Sequence, residues 1–221
     1  DKMYRKTSFD IVHKIRRAVG VKKVGHTGTL DPLATGLVII CTGKMTKKIS
    51  EFQVSDKTYT GIISIGKTTP SFDLESEFDS ETDIGYVTEK MIYEAAEKFK
   101  AECEQTVPMF SAIKHKGKSL YKFARKGIEI EREPRKIFIN YFEIKKIELP
   151  DIHFEISCSK GTYIRVIADD LGKVLGCGAY LKELRRTKIG DFRIEDALSI
   201  EEFKNLYEKL KLPQITENES L

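Results

Sequence analysis

The sequence predicts an α+β fold with a mixed, mostly antiparallel sheet, and three observations carry that reading. β-Branched and aromatic runs stand at 57–66, 137–149 and 152–158, the last alternating Ile152, Phe154, Ile156 and Cys158. Stretches with helical spacing lie around them, several opened by a Ser or Thr. The 221 residues are enough to bury one core, or one core with an insertion, and no internal repeat or low-complexity linker divides them. Composition, at 40% hydrophobic and 33% charged, is that of a highly charged soluble protein. No apolar run approaches the roughly 18 residues of a membrane span, and no signal-peptide pattern opens the chain. Cys41, Cys103, Cys158 and Cys177 form no C-x-x-C, and His13, His26, His115 and His153 are scattered. A reduced, cytoplasmic protein without a membrane anchor, metal or cofactor is expected.

Taken in order, Ser8 caps a helix whose apolar face is Phe9, Val12, Ile15 and Val19, with Gly20 as its stop. Lys14, Arg16, Arg17, Lys22 and Lys23 place a positive patch on its other face and exit. Residues 25–36, Gly-His-Thr-Gly-Thr-Leu-Asp-Pro-Leu-Ala-Thr-Gly, then form a Gly/Thr-rich loop. Small residues let such a backbone approach a ligand, and ordered flanks let one side chain be aimed. The side chain to aim is Asp31, biased toward extended backbone by Pro32. The apolar run 37–41 reads as a buried strand, 46–52 as a short helix carrying Lys47 and Lys48, and 57–66 as a strand with Tyr59 near its start.

Residues 66–89 set seven acids against one base, Lys67, so this stretch is −6 and the remainder +10 within a net +4. Its acidic part, 72–83, is expected as a surface loop, and the basic remainder suits a polyanionic partner. Thr88 caps a packing helix with Met91, Ile92, Ala95, Ala96 and Phe99 inside. Between 108 and 135 eight bases, Lys114 and Arg125 among them, interleave with Phe110, Tyr121 and Phe123, a footprint suited to loop RNA. The strands 137–149 and 152–158, joined at Pro150-Asp151, lead through 159–165 into a helix. A capping box at Ser199–Glu202 opens a last helix, stopped by Pro213 before a polar, frayed tail.

Residues 25–36 resemble the catalytic motif of the TruB family of tRNA pseudouridine synthases. Gly161-Thr162-Tyr163-Ile164-Arg165, Leu184-Arg185-Arg186-Thr187 and the S-A-x-K…A-R-x-G pattern from Ser111 to Gly127 are similar to further motifs of that family. The resemblance covers residues 1 to about 190. It implies the pseudouridine synthase fold over 1–198, helices flanking the sheet, with an RNA-gripping thumb at about 108–135 and a C-terminal helix and tail at 199–221. It also implies isomerisation of uridine 55 in the tRNA T-loop by base flipping. Asp31 would be the nucleophile and Arg165 its partner. Tyr59 would stack on the target base, Tyr163 and Leu184 would line its pocket, and His26 would fill the vacated space. Lys22, Lys23, Lys47, Lys114 and Arg125 would contact RNA. At Met3 and Arg5 the chain departs from the family's opening motif, which weakens the carry-over at Lys2. The chain ends too early for the PUA domain of many members, so a monomer gripping the T-arm with the catalytic domain alone is expected. The alternative reading is a noncatalytic RNA-binding or RNA-folding protein, which would not require Asp31.

Overall fold

The structure is a computed structural model and describes residues 1–210. In chain order its elements are α1 (Ser8–Val19), β1 (Val24–His26), β2 (Thr35–Gly36), β3 (Ile40–Thr42), α2 (Ile49–Gln53), β4 (Lys57–Ile65), β5 (Lys67–Thr68), β6 (Ser80–Glu81), α3 (Glu89–Glu97), β7 (Ala101–Thr106), β8 (Lys114–His115), β9 (Lys118–Ser119), α4 (Leu120–Ala124), β10 (Pro134–Glu148), β11 (Asp151–Cys158), α5 (Ile164–Leu175), β12 (Ala179–Ile189), β13 (Phe192–Arg193) and α6 (Ile200–Leu210). A seven-stranded sheet runs β13-β12-β4-β11-β10-β7, with β2 branching from β12. Only the β2–β12 pairing is parallel; the others in this sheet are antiparallel. The expected α+β fold with a mixed, mostly antiparallel sheet is therefore the one observed. Among the described residues no helix is long and apolar enough to cross a membrane.

The alternating residues of β11, Ile152, Phe154, Ile156 and Cys158, face a core shared with Ile63, Ile139 and Phe142. Ile92, Ala95 and Ala96 of α3 and Ile164, Ile167, Ala168 and Leu171 of α5 close it. The helix α5 lies so near the start of β12 that a Cβ on Gly172 would stand 2.2 Å from the Ala179 nitrogen. A smaller cluster of Ile11, Val12, Ile15, Val24 and Ile200 joins α1, β1 and α6.

Several local expectations change. The cap of α1 is Thr7, which forms a reciprocal capping box with Asp10. Ser8 is buried instead, its Oγ accepting from the Leu30 N–H at 2.9 Å. Phe9 points outward, 58% exposed, and Ile11 takes its place inside. Gly20 stops α1 in the left-handed conformation, as expected. The run 37–41 is a strand only from Ile40; Leu37 N–H donates to Arg186 O and Ile39 O accepts from Thr27 N–H, so its backbone bonds go to separate partners. The strand β7 lies where the sequence predicts none. Of the last helix, its Ser199–Glu202 capping box is present; the stop at Pro213 and the polar tail fall outside the described residues.

Candidate active site

The loop after β1 is fixed from three sides. Ser8 holds Leu30 from α1. Lys2 pairs with Gly36 through both backbone groups, at 2.8 and 3.0 Å. Asp31, Pro32, Leu33 and Ala34 close a turn through the Ala34 N–H and Asp31 O at 3.0 Å, with proline in the second position where its fixed φ fits. Gly36 has φ +106 and an added Cβ would lie 2.3 Å from Arg186 O, so both conformation and space demand glycine there.

This loop forms one wall of a cleft of about 780 Å³. Asp31, Tyr59, Tyr163 and Leu184 all line it, together with Ser111, Ala112 and Ile113 of the 108–135 segment. Arg165, 2% exposed, lies behind the wall and donates from Nη1 to Asp31 Oδ2 at 2.5 Å. Its Nη2 donates to Phe110 O, tying the start of the 108–135 segment to the same guanidinium. Such a charge-assisted bond fixes one carboxylate oxygen and leaves the other for chemistry. Tyr163 is flanked by two guanidiniums, those of Arg135 and Arg165, each 5.1 Å from its ring centroid. Tyr59 is buried, and burial pushes its phenol up.

His26 sits half-buried at the end of β1, its Nδ1 accepting from the Gly28 N–H at 3.2 Å. Burial, then the Arg186 charge, pulls its pKa below the ordinary value, so the ring is held neutral at physiological pH. It is not among the residues lining the cleft. Lys22, Lys23 and Lys47 are exposed on the segments after α1 and before α2, and Lys114 and Arg125 are exposed on the 108–135 segment. None of these five enters the cleft.

Three charged groups that sequence reasoning leaves aside are central. Arg186, 1% exposed, donates from Nε to Leu37 O at 2.8 Å and from Nη2 to Gly28 O at 3.1 Å, clamping both ends of the loop. Lys2, also 1% exposed, points Nζ at the carbonyls of Met3, Lys6 and Pro32, and burial lowers its pKa to about 8 against a partial rise from Asp31. Asp73, 5% exposed, feels both Arg165 and Asp31, and burial pushes its carboxyl up. Asp73 belongs to the stretch expected at the surface. The one available signal is its place, two residues before Glu75, where the apolar Phe72 and Leu74 interrupt the acids.

The cleft thus sets one carboxylate, held by a buried guanidinium, beside aromatic walls and the basic residues Lys57, Arg135, Lys136 and Lys160, an arrangement with room for a planar ring next to the carboxylate. The fold defines the class. One chain of a crystal structure of a Cbf5-Nop10-Gar1 complex superposes with a TM-score of 0.74 at 27% identity, over 94% of this chain and 53% of that one, so the chain spans about half of that neighbour. The chain is a pseudouridine synthase. It belongs to the TruB family: the model of the TruB family pseudouridylate synthase N-terminal domain matches residues 16–164, and that of the tRNA pseudouridylate synthase B C-terminal domain matches 165–215. The tRNA pseudouridine synthase B of Phocaeicola vulgatus is 46% identical, covering 97% of this chain and 94% of that one. That of Flavobacterium johnsoniae is 50% identical over 92% of each.

Proposed function

We propose that this enzyme isomerises uridine 55 in the T-loop of tRNA, with Asp31 as the nucleophile. The observation that carries the reading is the Asp31–Arg165 pair, a half-exposed carboxylate anchored to a buried guanidinium at the wall of an aromatic cleft. The similarity to proteins named tRNA pseudouridine synthase B supports tRNA as the substrate. The reaction breaks the bond from ribose C1′ to uracil N1 and forms one from C1′ to C5. The C5 hydrogen leaves as a proton and N1 gains one, so no oxidant or group donor is needed. Asp31 forms or stabilises the intermediate while the base is detached.

The base leaves its stack at a cost of roughly a few kcal/mol. Tyr59, Tyr163 and Leu184 receive it, and the neutral ring of His26 offsets part of the lost stacking beside the loop. Tritium release from T-arm RNA labelled at uridine C5 tests the reading. Asp31→Asn is expected to lower release by at least about a thousandfold while RNA affinity stays within about threefold. Release that survives the substitution removes Asp31 from the chemistry. No release from either protein, with RNA still bound tightly, would make this an RNA-binding protein.

A further inference from the structure

Of the six residues of β7, the edge strand of the sheet, only Gln105 is buried, at 2% exposed. A strand that needed only to close the core would bury an apolar residue there, because a buried amide must find partners for both a donor and an acceptor. Gln105 finds both on one residue of another element. Its Oε1 accepts from the Tyr163 N–H at 2.7 Å and its Nε2 donates to Tyr163 O at 3.1 Å. The side-chain amide thus pairs with the main chain of Tyr163 as the backbone of a neighbouring strand would.

Tyr163 is the residue from which α5 starts. It makes no side-chain cap, and its carbonyl also accepts from the Val166 and Ile167 N–H groups at 3.1 and 3.3 Å. Its own N–H precedes the helix, so no helical carbonyl serves it, and Gln105 takes that role. A second hold comes from the facing strand. Arg135 stands opposite Gln105 in the β7–β10 register, donates to Gly161 O and lies 5.1 Å from the centroid of the Tyr163 ring. The 108–135 segment leaves the sheet after Thr106 and rejoins it at Pro134, so Gln105 and Arg135 stand at its two roots. The strands that carry this segment therefore also seat Tyr163, and two walls of the cleft share one support.

We infer that Gln105 is a positioning residue for the isomerisation: by holding both backbone groups of Tyr163 it sets where that ring stands in the cleft, and so how the target base is seated. This rests on the functional reading above, in which Tyr163 lines the base pocket. Gln105 is not among the residues lining the cleft and acts through Tyr163 alone. The direction of a side chain follows from its backbone, so a peptide fixed at both N–H and C=O fixes where the ring begins. A misplacement of about 1 Å at a reacting centre is enough to cost up to about a hundredfold in rate.

Hydrogen exchange and tritium release together test this with Gln105→Met, which fills a similar volume without either polar group. The Tyr163 amide should exchange at least about tenfold faster than in wild type, while the amides of β4 and β11 keep their rates. Single-turnover release from T-arm RNA labelled at uridine C5, at saturating RNA, should slow at least about tenfold, with RNA affinity within about threefold of wild type. Tyr163→Ala should slow release as well. Adding Gln105→Met to it should change the rate by less than about threefold, because the ring to be positioned is gone. Gln105→Glu keeps the acceptor for the Tyr163 N–H and should restore that amide's protection and part of the rate; it carries the test if Gln105→Met fails to fold. Unchanged exchange at Tyr163 overturns the inference, as does release by Tyr163→Ala at the wild-type rate. A rate loss as large in the Tyr163→Ala background as in wild type also overturns it and leaves Gln105 a support of the fold only. Failure of the functional reading is distinguishable, since wild-type protein itself would then release no tritium, and the inference would fall with it even where exchange at Tyr163 still depends on Gln105.

Discussion

The catalytic loop and the 108–135 segment line one cleft but are held by opposite means. The loop is short and held from many sides: Lys2, Ser8, Arg165 and Arg186 each bond it from a different element, and all four are buried. The 108–135 segment carries a two-residue hairpin and a five-residue helix, with most of its cations exposed. It is tied to the body through Arg165 at Phe110 O, through Arg132 at Val107 O and through Tyr121, which donates to Glu75. Under the proposed function the difference suits each part: a nucleophile needs its geometry set before substrate arrives, whereas a segment that closed on RNA would have to move, and segments with few buried contacts open at low cost. Arg165 belongs to both sides.

Breaking that shared residue should have the largest effect after loss of Asp31 itself. Arg165→Met would leave Asp31 without its orienting partner and Phe110 O without its donor. Removing one partner of a buried ion pair costs about 3–5 kcal/mol, and the lower end applies here because Asp31 is 36% exposed and water can serve it. Release of tritium should fall at least about a hundredfold, with urea denaturation showing the stability loss. Arg165→Lys, keeping the charge without the fork, should recover stability more than rate. Equal recovery of both would make the residue a structural support only.

The same contrast explains what is legible in the sequence. The motif around Asp31, the alternation in β11 and the stop at Gly20 are local signals, and each stands where its pattern places it. Lys2, Asp73 and Arg186 are not legible as site residues because a charged side chain reads as solvated until the fold supplies partners, and for each a deciding neighbour is distant in sequence: Pro32 for Lys2, Arg165 and Asp31 for Asp73, Gly28 and Leu37 for Arg186. The strand β7, Ala-Glu-Cys-Glu-Gln-Thr, carries charges because it is the edge of the sheet, where they guard an open row of backbone groups, and so it resembles a loop. Ser8 looks like a cap because serine favours caps, but Thr7 has Asp10 three residues on and can close the box.

Lys2 offers a sharper probe of the rigid side. Burial lowers its pKa to about 8, whereas in the unfolded chain it titrates near 10.5. Below pH 8 the ammonium is charged in both states and its desolvation counts fully against the fold. Between pH 8 and 10.5 the unfolded chain binds more protons than the native one, so stability from this group rises with pH. Chemical denaturation at about pH 7.5 and about pH 9.5, wild type against Lys2→Met, should show that rise only in the wild type. A pH dependence identical in both proteins would mean that the three carbonyls around Nζ keep the ammonium charged throughout.

The smallest effect is expected in the 108–135 segment, at Tyr121. Its hydroxyl donates to Glu75 Oε1 at 2.7 Å, and its ring packs under Arg125 at 4.6 Å and edge-on to Phe110 at 5.9 Å. Tyr121→Phe keeps both ring contacts and removes only the tie to the acidic stretch. An exposed hydrogen bond of this kind contributes about 0.5–1 kcal/mol. If the tie holds the segment beside Glu75 in the free protein, RNA must break it on binding, and its removal should tighten RNA affinity by about two- to fivefold. The salt slope should not change, because no cation is altered. Weaker binding by Tyr121→Phe would instead place the hydroxyl on the RNA and leave Glu75 as its resting partner only.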